Sequence, residues 1–358
     1  MKGWTRMLVG SSRSSAPKLS ICITTFNRAA FIGETIESIL AQLTDECEIV
    51  VVDGASTDDT QCVVKEYARR CERLRYFRQL QNSGFDRDCD RAVELANGEY
   101  CWLMADDDLL KSGAVAAVLG AIGSDVSLVV INAEVRDFGM SEVVQGRWIH
   151  LESDRLYPPE DTDRLFVEMG DGLTYAGSVV IKRGIWLARE RERYYGSMFI
   201  FLGVIFQERL PGDARIIVDP LVSYRSGNTH TFSLAYFETY MLKFPALVWS
   251  LPLADWAKRK ICDPERWRDA RELFLWRARG SYSWREYRQW ILPGRRVRDT
   301  LVPALIALLP AAGVNAWLVF YYSIFRRPYR GVWEPAIILQ ALRQSPFHVR
   351  NWRAFKWL

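Results

Sequence analysis

Three consecutive aspartates, Asp106, Asp107 and Asp108, follow the apolar run at residues 100–104. Like charges packed this closely raise one another's pKa unless a cation compensates. Hard carboxylate oxygens suit Mg²⁺ or Mn²⁺, which take one or two protein carboxylates and complete their shell with water and substrate phosphates. Asp106 and Asp108 are the expected metal pair. The competing reading is a helix N-terminus, where anions are favoured, because the apolar stretch 109–119 follows. A second loaded segment, D-G-A-S-T-D-D at 53–59, follows the run E-I-V-V-V-D. Asp53 there could accept a hydrogen bond from a nucleobase while Gly54 lets the base approach, although the same letters are ordinary turn chemistry. A third, Thr24 to Arg28, follows residues 19–24, and its Asn27 has a second use as a helix cap.

These segments face one place only if the elements before them are parallel strands of one sheet. Residues 19–24, 48–53, 74–78 and 100–104 are short apolar runs of the kind a parallel sheet buries on both faces, and helical stretches at 28–42, 58–71 and 88–96 separate them. That alternation is the signature of an α/β doubly wound sheet, whose ligands collect at the carboxyl ends of the strands. Further strands are expected at 127–132, 178–181 and 215–218, a helix at 199–210 and an irregular stretch at 137–171. Beyond Asn228 the pattern is helical, at 232–249, 264–279 and 284–291.

A chain of 358 residues with 49% hydrophobic and 25% charged content excludes wholesale disorder and fibrous repeats. Its formal charge of +4 conceals an asymmetry: residues 251–358 carry 20 basic and 8 acidic side chains, residues 1–250 carry 27 and 35. Nine of the 14 tryptophans also lie in the basic segment, so the two parts are expected to meet different partners. The seven cysteines form no C-x-x-C pair and no Cys/His cluster, the usage of a reducing compartment. Residues 1–17 lack an apolar run of secretory length and are read as a flexible lead-in.

Residues 19–110 resemble the nucleotide-sugar-binding half of the family-two glycosyltransferases with a GT-A fold. The matching motifs, in order, are S-I-C-I-T-T-F-N-R (20–28), I-V-V-V-D-G-A-S-T-D-D-T (49–60), N-S-G (82–84), A-N-G-E-Y (96–100) and M-A-D-D-D-L-L (104–110). The stretch N-S-G-F-D-R-D-C-D followed by W-L-M-A-D-D-D-L-L is similar to the abequosyltransferase-like branch of O-antigen assembly. The resemblance implies a GT-A-like mixed sheet flanked by helices over 18–228, with a nucleotide-sugar-binding half (18–125) and an acceptor-side half (126–228), while the residue pattern itself gives a helical, Trp/Arg-rich region at 229–358. It implies that Thr25, Phe26, Asn27 and Arg28 lie against the donor nucleotide and that Asp53 binds its base. Asp106 and Asp108 would be the D-x-D element holding Mg²⁺ or Mn²⁺ on the diphosphate, with Asp107 beside the donor. Asp86, Arg87 and Asp88 would approach ribose, phosphate or sugar, Arg87 having a competing reading as a surface cation.

Transfer from such a donor needs charge stabilisation on the leaving diphosphate and, if the configuration inverts, a general base. Members of the family supply the base from a Glu-Asp or similar pair before an R-L element; the corresponding stretch here, G-S-M-F-I-F-L-G-V-I-F-Q-E-R-L (196–210), has Phe, Leu and Gly at those positions. The nearest acids are Asp171, Glu208 and Asp213. Glu208 beside Arg209 reads as a solvated helix pair, and Asp171 is the expected base.

Residues 301–325 carry no charge over 25 residues, long enough for a hydrocarbon core of about 30 Å. Pro303, Pro310, Gly313 and Asn315 interrupt them, and arginines flank both sides (295, 296, 298; 326, 327, 330). The expectation is a broken helix pair dipping into one leaflet at the cytoplasmic face of a membrane, a buried helical hairpin being the alternative. Nucleic acid is not expected, since no recognition motif accompanies the basic tail. The combined reading is a metal-dependent transferase moving sugar from a nucleotide-diphosphate donor to a saccharide acceptor, lipid-linked, in cell-surface polysaccharide or O-antigen synthesis. A non-catalytic donor-binding scaffold is the alternative, and a nucleotidyltransferase is disfavoured because no G-x-G-x-x-G loop follows the first strand.

Overall fold

Leu19–Thr25 (β1) is apolar on both sides because a strand flanks it on each edge and helices cover both faces. Cys47–Asp53 (β2) and Tyr100–Met104 (β4) run parallel to it, and Leu74–Arg78 (β3) runs parallel outside β2. Successive side chains of a strand point to opposite faces. Leu19, Ile21, Ile23, Ile49 and Val51 therefore enter one core with the helices Ile32–Leu40 (α1) and Thr60–Arg70 (α2), while Cys22, Val50 and Val52 enter a second with Phe85–Leu95 (α3). The computed structural model describes residues 16–227, 236–325 and 335–351. The lead-in through residue 15, the expected boundary at Asn228, the arginines at 326, 327 and 330, and Trp333, Trp352 and Trp357 lie outside the described residues.

The expected helix at 109–119 starts later. Leu109–Leu110 (β5) pairs antiparallel with Ser223 and Val222, and only after Gly113, at φ +84°, does the helix Ala114–Ala121 (α4) begin. The rest of the sheet comes from Val126–Arg136 (β6), Val143–Gln145 (β7), Arg155–Tyr157 (β8), Val179–Lys182 (β9) and Asp213–Arg225 (β10). The order is β3-β2-β1-β4-β9-β6-β10-β5, with β7 on β6 and β8 on β10. Strand β9 is antiparallel to both β4 and β6, so the sheet is mixed. Thr162–Met169 (α5) organises part of the stretch expected to be irregular, and Arg183–Ala188 (α6) and Ile200–Phe206 (α7) close the second core.

The C-terminal region is helical, with its main helices at residues 236–250, Asp255–Ile261, Ala270–Arg279, Leu301–Leu308, Ala311–Phe325 and Pro335–Gln344. Its tryptophans divide by role: Trp267 and Trp276 are buried in an aromatic core with Tyr282 and Tyr287, while Trp256 and Trp317 are exposed. The apolar stretch breaks at Leu309 and Pro310, where the two helices bend by 85°. Among the described residues no single helix is long and apolar enough to cross a membrane.

Candidate active site

The loops after β1 and β2 are sewn together. Asn27 takes a positive φ of 55°, which Asn tolerates better than most residues, and Ala55 takes 66°. From there Asn27 Oδ1 accepts from the Thr57 N–H (2.7 Å) and the Asn27 N–H donates to Ser56 Oγ (2.9 Å). The Arg28 N–H donates to Thr60 Oγ1 (2.8 Å) and the Gly54 N–H to the Thr25 carbonyl (2.9 Å). Asn27 is thus a bridge between loops and not a helix cap, since α1 begins at Ile32. Phe26 beside it is half-buried. Asp53 has no exposed surface, and its two oxygens accept from the Ser56 N–H (2.7 Å) and the Tyr76 hydroxyl (2.6 Å). In this structure Asp53 shapes the loop and presents no carboxylate edge to a base.

The acidic triplet lies between these loops and the end of β10. Asp106 Oδ1 is 3.5 Å from Arg28 Nε and keeps 13% of its side chain exposed. Burial, then the charge of Asp107, push the Asp106 carboxyl up to about 7, against the opposing pull of Arg28 and the Thr25 hydroxyl. Asp108 is fully buried: Oδ2 accepts from the Tyr175 hydroxyl (2.6 Å) and Oδ1 from the Arg225 N–H (2.8 Å). Burial and Asp107 raise its pKa as well. The helix-terminus alternative for Asp108 fails, because the two residues after it are strand. Among the described residues no three His, Cys, Asp or Glu side chains form a ready-made metal cluster. Of the expected metal pair, Asp106 alone retains exposed carboxylate surface.

The other expected donor residues divide. Asp86 is buried and accepts from the Met198 and Ile200 N–H groups (2.8 and 3.1 Å), tying α3 to the start of α7. Arg87 is exposed and stacks 4.3 Å over the Tyr195 ring. Asp88 is buried against the β2 loop, where it accepts from the Ser83 hydroxyl (2.7 Å); a Cβ on Gly54 would come within 2.6 Å of it. Among the possible bases, Asp213 opens the 13-residue β10 at the end opposite Arg225, roughly 40 Å away at strand rise. Glu208 is an exposed partner of Arg189 (3.1 Å). Asp171 belongs to the turn Gly170–Thr174, and its side chain lies outside the described residues.

Two residues escaped the sequence reading. Tyr175, delivered by that same turn, and Arg225 hold Asp108 from 67 and 117 residues away. Arg225 also donates to the Asp107 carbonyl (2.9 Å), pairs with Glu34 (2.5 Å) and stacks on Phe31 (5.2 Å), so it clamps the triplet to α1. The one signal in the sequence was the Y-R-S-G run at the end of a strand that the pattern ended seven residues too early. Beside Tyr175 opens a cavity walled by Trp148 and Tyr224 on the sheet side and by Tyr236, Tyr240, Trp276 and Arg279 on the helical side.

Residues 20–184 match the model of the family described as glycosyl transferase family 2. Abequosyltransferase RfbV of Salmonella typhimurium is 26% identical over 226 residues, 59% of this chain and 67% of that protein. The GalNAc(5)-diNAcBac-PP-undecaprenol beta-1,3-glucosyltransferase of Campylobacter jejuni is 31% identical over 140 residues, 38% of this chain and 45% of that protein. The matches thus span about two thirds of the first relative and under half of the second. S. aureus TarS 1-349, solved in complex with UDP-GlcNAc, superposes with a TM-score of 0.54 at 15% identity, covering 94% of this chain and 92% of that one. The mannosyltransferase PcManGT from Pyrobaculum calidifontis, solved with GDP-Man and Mn²⁺, gives 0.52 at 16%, covering 96% and 89%. At these identities the likeness is one of fold.

Proposed function

The chain belongs to glycosyl transferase family 2 through residues 20–184 and has a GT-A fold, and from that premise we propose that it transfers sugar from a nucleotide-diphosphate donor to a lipid-linked saccharide acceptor. The observation that carries this is the acidic turn Asp106 to Asp108, held between the stitched loops after β1 and β2 on one side and Arg225 on the other. The donor nucleotide lies along Thr25, Phe26, Asn27 and Arg28, with Asp53 acting through the loop it organises and Asp107 beside the sugar. Asp86 and Arg87 act from the α3 side, Asp86 by fixing the start of α7 and Arg87 from its stack on Tyr195.

A divalent cation fits at Asp106, where a partly exposed carboxylate is held up near 7 by burial and a neighbouring acid. Asp108 contributes only through the lone pairs that Tyr175 and Arg225 leave over. When bound, Mg²⁺ or Mn²⁺ supplies Lewis-acid neutralisation of the charge that develops on the leaving diphosphate. Arg28 adds a fixed positive charge at the same edge. Asp171, four residues before Tyr175, is the proposed base. A lipid-linked acceptor is supported by the Campylobacter relative, whose own name carries PP-undecaprenol. The proposed location is the cytoplasmic face of a membrane, reached through the bent pair at 301–325.

Thermal shift with UDP and GDP, each with and without Mn²⁺, tests the reading, because a ligand of the folded state raises its stability. One nucleotide should raise the Tm only with metal, and Asp106→Asn should erase the rise. An equal response without metal, unaltered in the variant, would overturn the metal assignment. Metal-dependent binding with no release of sugar from any nucleotide donor would instead mark a non-catalytic scaffold.

A further inference from the structure

We propose that the cavity between the sheet and the C-terminal helices is the acceptor subsite, and that Arg279 in it selects a saccharide bearing an oxyanion, a uronate carboxylate or a phosphate; this rests on the transferase reading above. The topology separates two sides of the acidic turn. The loops after β1 and β2 lie on the β3-β2-β1-β4 side, whereas Tyr175 and Tyr224 bring the cavity to the turn from the β6 and β10 side. A molecule in the cavity therefore meets the turn from the β6 and β10 side of the sheet.

The walls are built for a ring and a charge. Trp148 lies parallel to Tyr175 (5.0 Å, 5°) and edge-on to Tyr224 (4.6 Å), and opposite them Tyr240 stacks between Tyr236 and Trp276. Flat aromatic faces suit the apolar face of a pyranose, with a few polar groups fixing its orientation. Arg279 lies 4.8 Å over the Trp276 ring and 5.9 Å over Tyr236. Among the described residues it has no carboxylate at ion-pair distance, and Glu272 on the same wall is engaged by Arg266 through both oxygens (2.8 and 2.7 Å). Burial pulls the Arg279 pKa down, although the residue keeps part of its surface open to the cavity, so the charge is partly desolvated with no carboxylate beside it. Ring faces compensate such a cation only in part. A guanidinium fork pairs with a carboxylate or phosphate through two parallel N–H bonds, which completes what the cavity lacks.

The test is a tryptophan-fluorescence titration of the full chain with a glucuronic-acid disaccharide, glucose 1-phosphate and neutral maltose, since Trp148 and Trp276 report from the walls. At least one anionic probe should bind about tenfold tighter than maltose, and Arg279→Gln should remove that preference. Arg279→Lys, which keeps the charge without the fork, should retain part of it and serves if the Gln variant does not fold. Preference for the disaccharide assigns a uronate, preference for the sugar phosphate a phosphate. Equal affinity for maltose, or an unchanged preference in Arg279→Gln, would overturn the proposal. The nucleotide response with Mn²⁺ is measured in the same proteins. Its survival in Arg279→Gln supports an acceptor role, and its loss there would assign Arg279 to the donor and sink the inference. A wild type that discriminates anionic saccharides but shows no nucleotide response leaves the anion subsite standing and refutes the transferase reading.

Discussion

Glu134 is buried on β6, yet Lys111 Nζ (2.7 Å), Arg136 Nε (2.6 Å) and Ser223 Oγ (2.7 Å) all donate to it. Burial alone would raise its pKa, but the three donors outweigh burial and hold the carboxyl at about 2. The folded value is then below the unfolded one of about 4.3, so Glu134 contributes stability that is present above the unfolded value and lost as pH falls toward 2. Lys111 follows β5 and Ser223 pairs with it, so the same contacts pin the acidic turn to β10. Urea unfolding from pH 5 to 3 should show wild type losing stability faster than Glu134→Gln, and at pH 7 the variant should be weaker by about 1–3 kcal/mol. Parallel curves would remove Glu134 from this role. The same reasoning directs the functional test to Asp106: Asp108→Ala would strand the Tyr175 hydroxyl and the Arg225 N–H in the interior, confounding chemistry with folding.

Two glycines test how closely the elements pack. The Gly98 N–H donates to Ser20 Oγ (2.8 Å), and a Cβ there would meet that oxygen at 2.6 Å and the Ser20 nitrogen at 2.7 Å, with no flexible side-chain end to yield at the nitrogen. Gly120 sits on the exposed face of α4 with nothing within 4 Å of its Cβ position. Gly98→Ala should therefore cost about 1–3 kcal/mol or more by overpacking. Gly120→Ala should be neutral or gain up to about 1 kcal/mol from helix propensity, and chemical denaturation separates the two. Gly98 belongs to one of the motifs that made the first four strands legible: runs buried on both faces can be read without knowing their partners. Leu109 and Leu110 misled because an unbroken apolar stretch carries no period to tell a strand from a helix, and their pairing with Val222 and Ser223 is decided a hundred residues away. Separations of 67 and 117 residues likewise hid Tyr175 and Arg225. The triplet itself was visible from its local charge, but what holds Asp108 and what walls the cavity are products of tertiary packing that no short window contains.

Over the whole molecule, the helix pair Leu301–Leu308 and Ala311–Phe325 is neither a buried hairpin nor an ordinary surface. Ile306, Ala307, Val314, Leu318 and Tyr322 face inward, while Leu305, Leu308, Trp317, Phe320 and Phe325 are each more than half exposed. Exposed large apolar side chains of this number on a basic region suit an anionic lipid surface. Arg296 and Arg298 are exposed beside it, whereas Arg295 is spent on the Trp267 ring (4.6 Å) and the Ile291 carbonyl. The helix Ala270–Arg279, which carries Trp276 and Arg279 of the cavity, packs against Ala311–Phe325. Docking through the exposed face would engage the helix that backs this cavity wall, an arrangement that suits the proposed lipid-linked acceptor. Co-sedimentation with phosphatidylcholine vesicles, with and without phosphatidylglycerol, measures this. The full chain should partition to both and more strongly to the anionic ones, and Leu305→Asp with Phe320→Asp should lower both partitions at least about tenfold. Arg296→Glu with Arg298→Glu should weaken only the anionic preference, each charge removed being worth about 1 kcal/mol. A chain that stays in the supernatant with both vesicles would leave the exposed face to a protein partner, and the acceptor would then have to reach the cavity from solution.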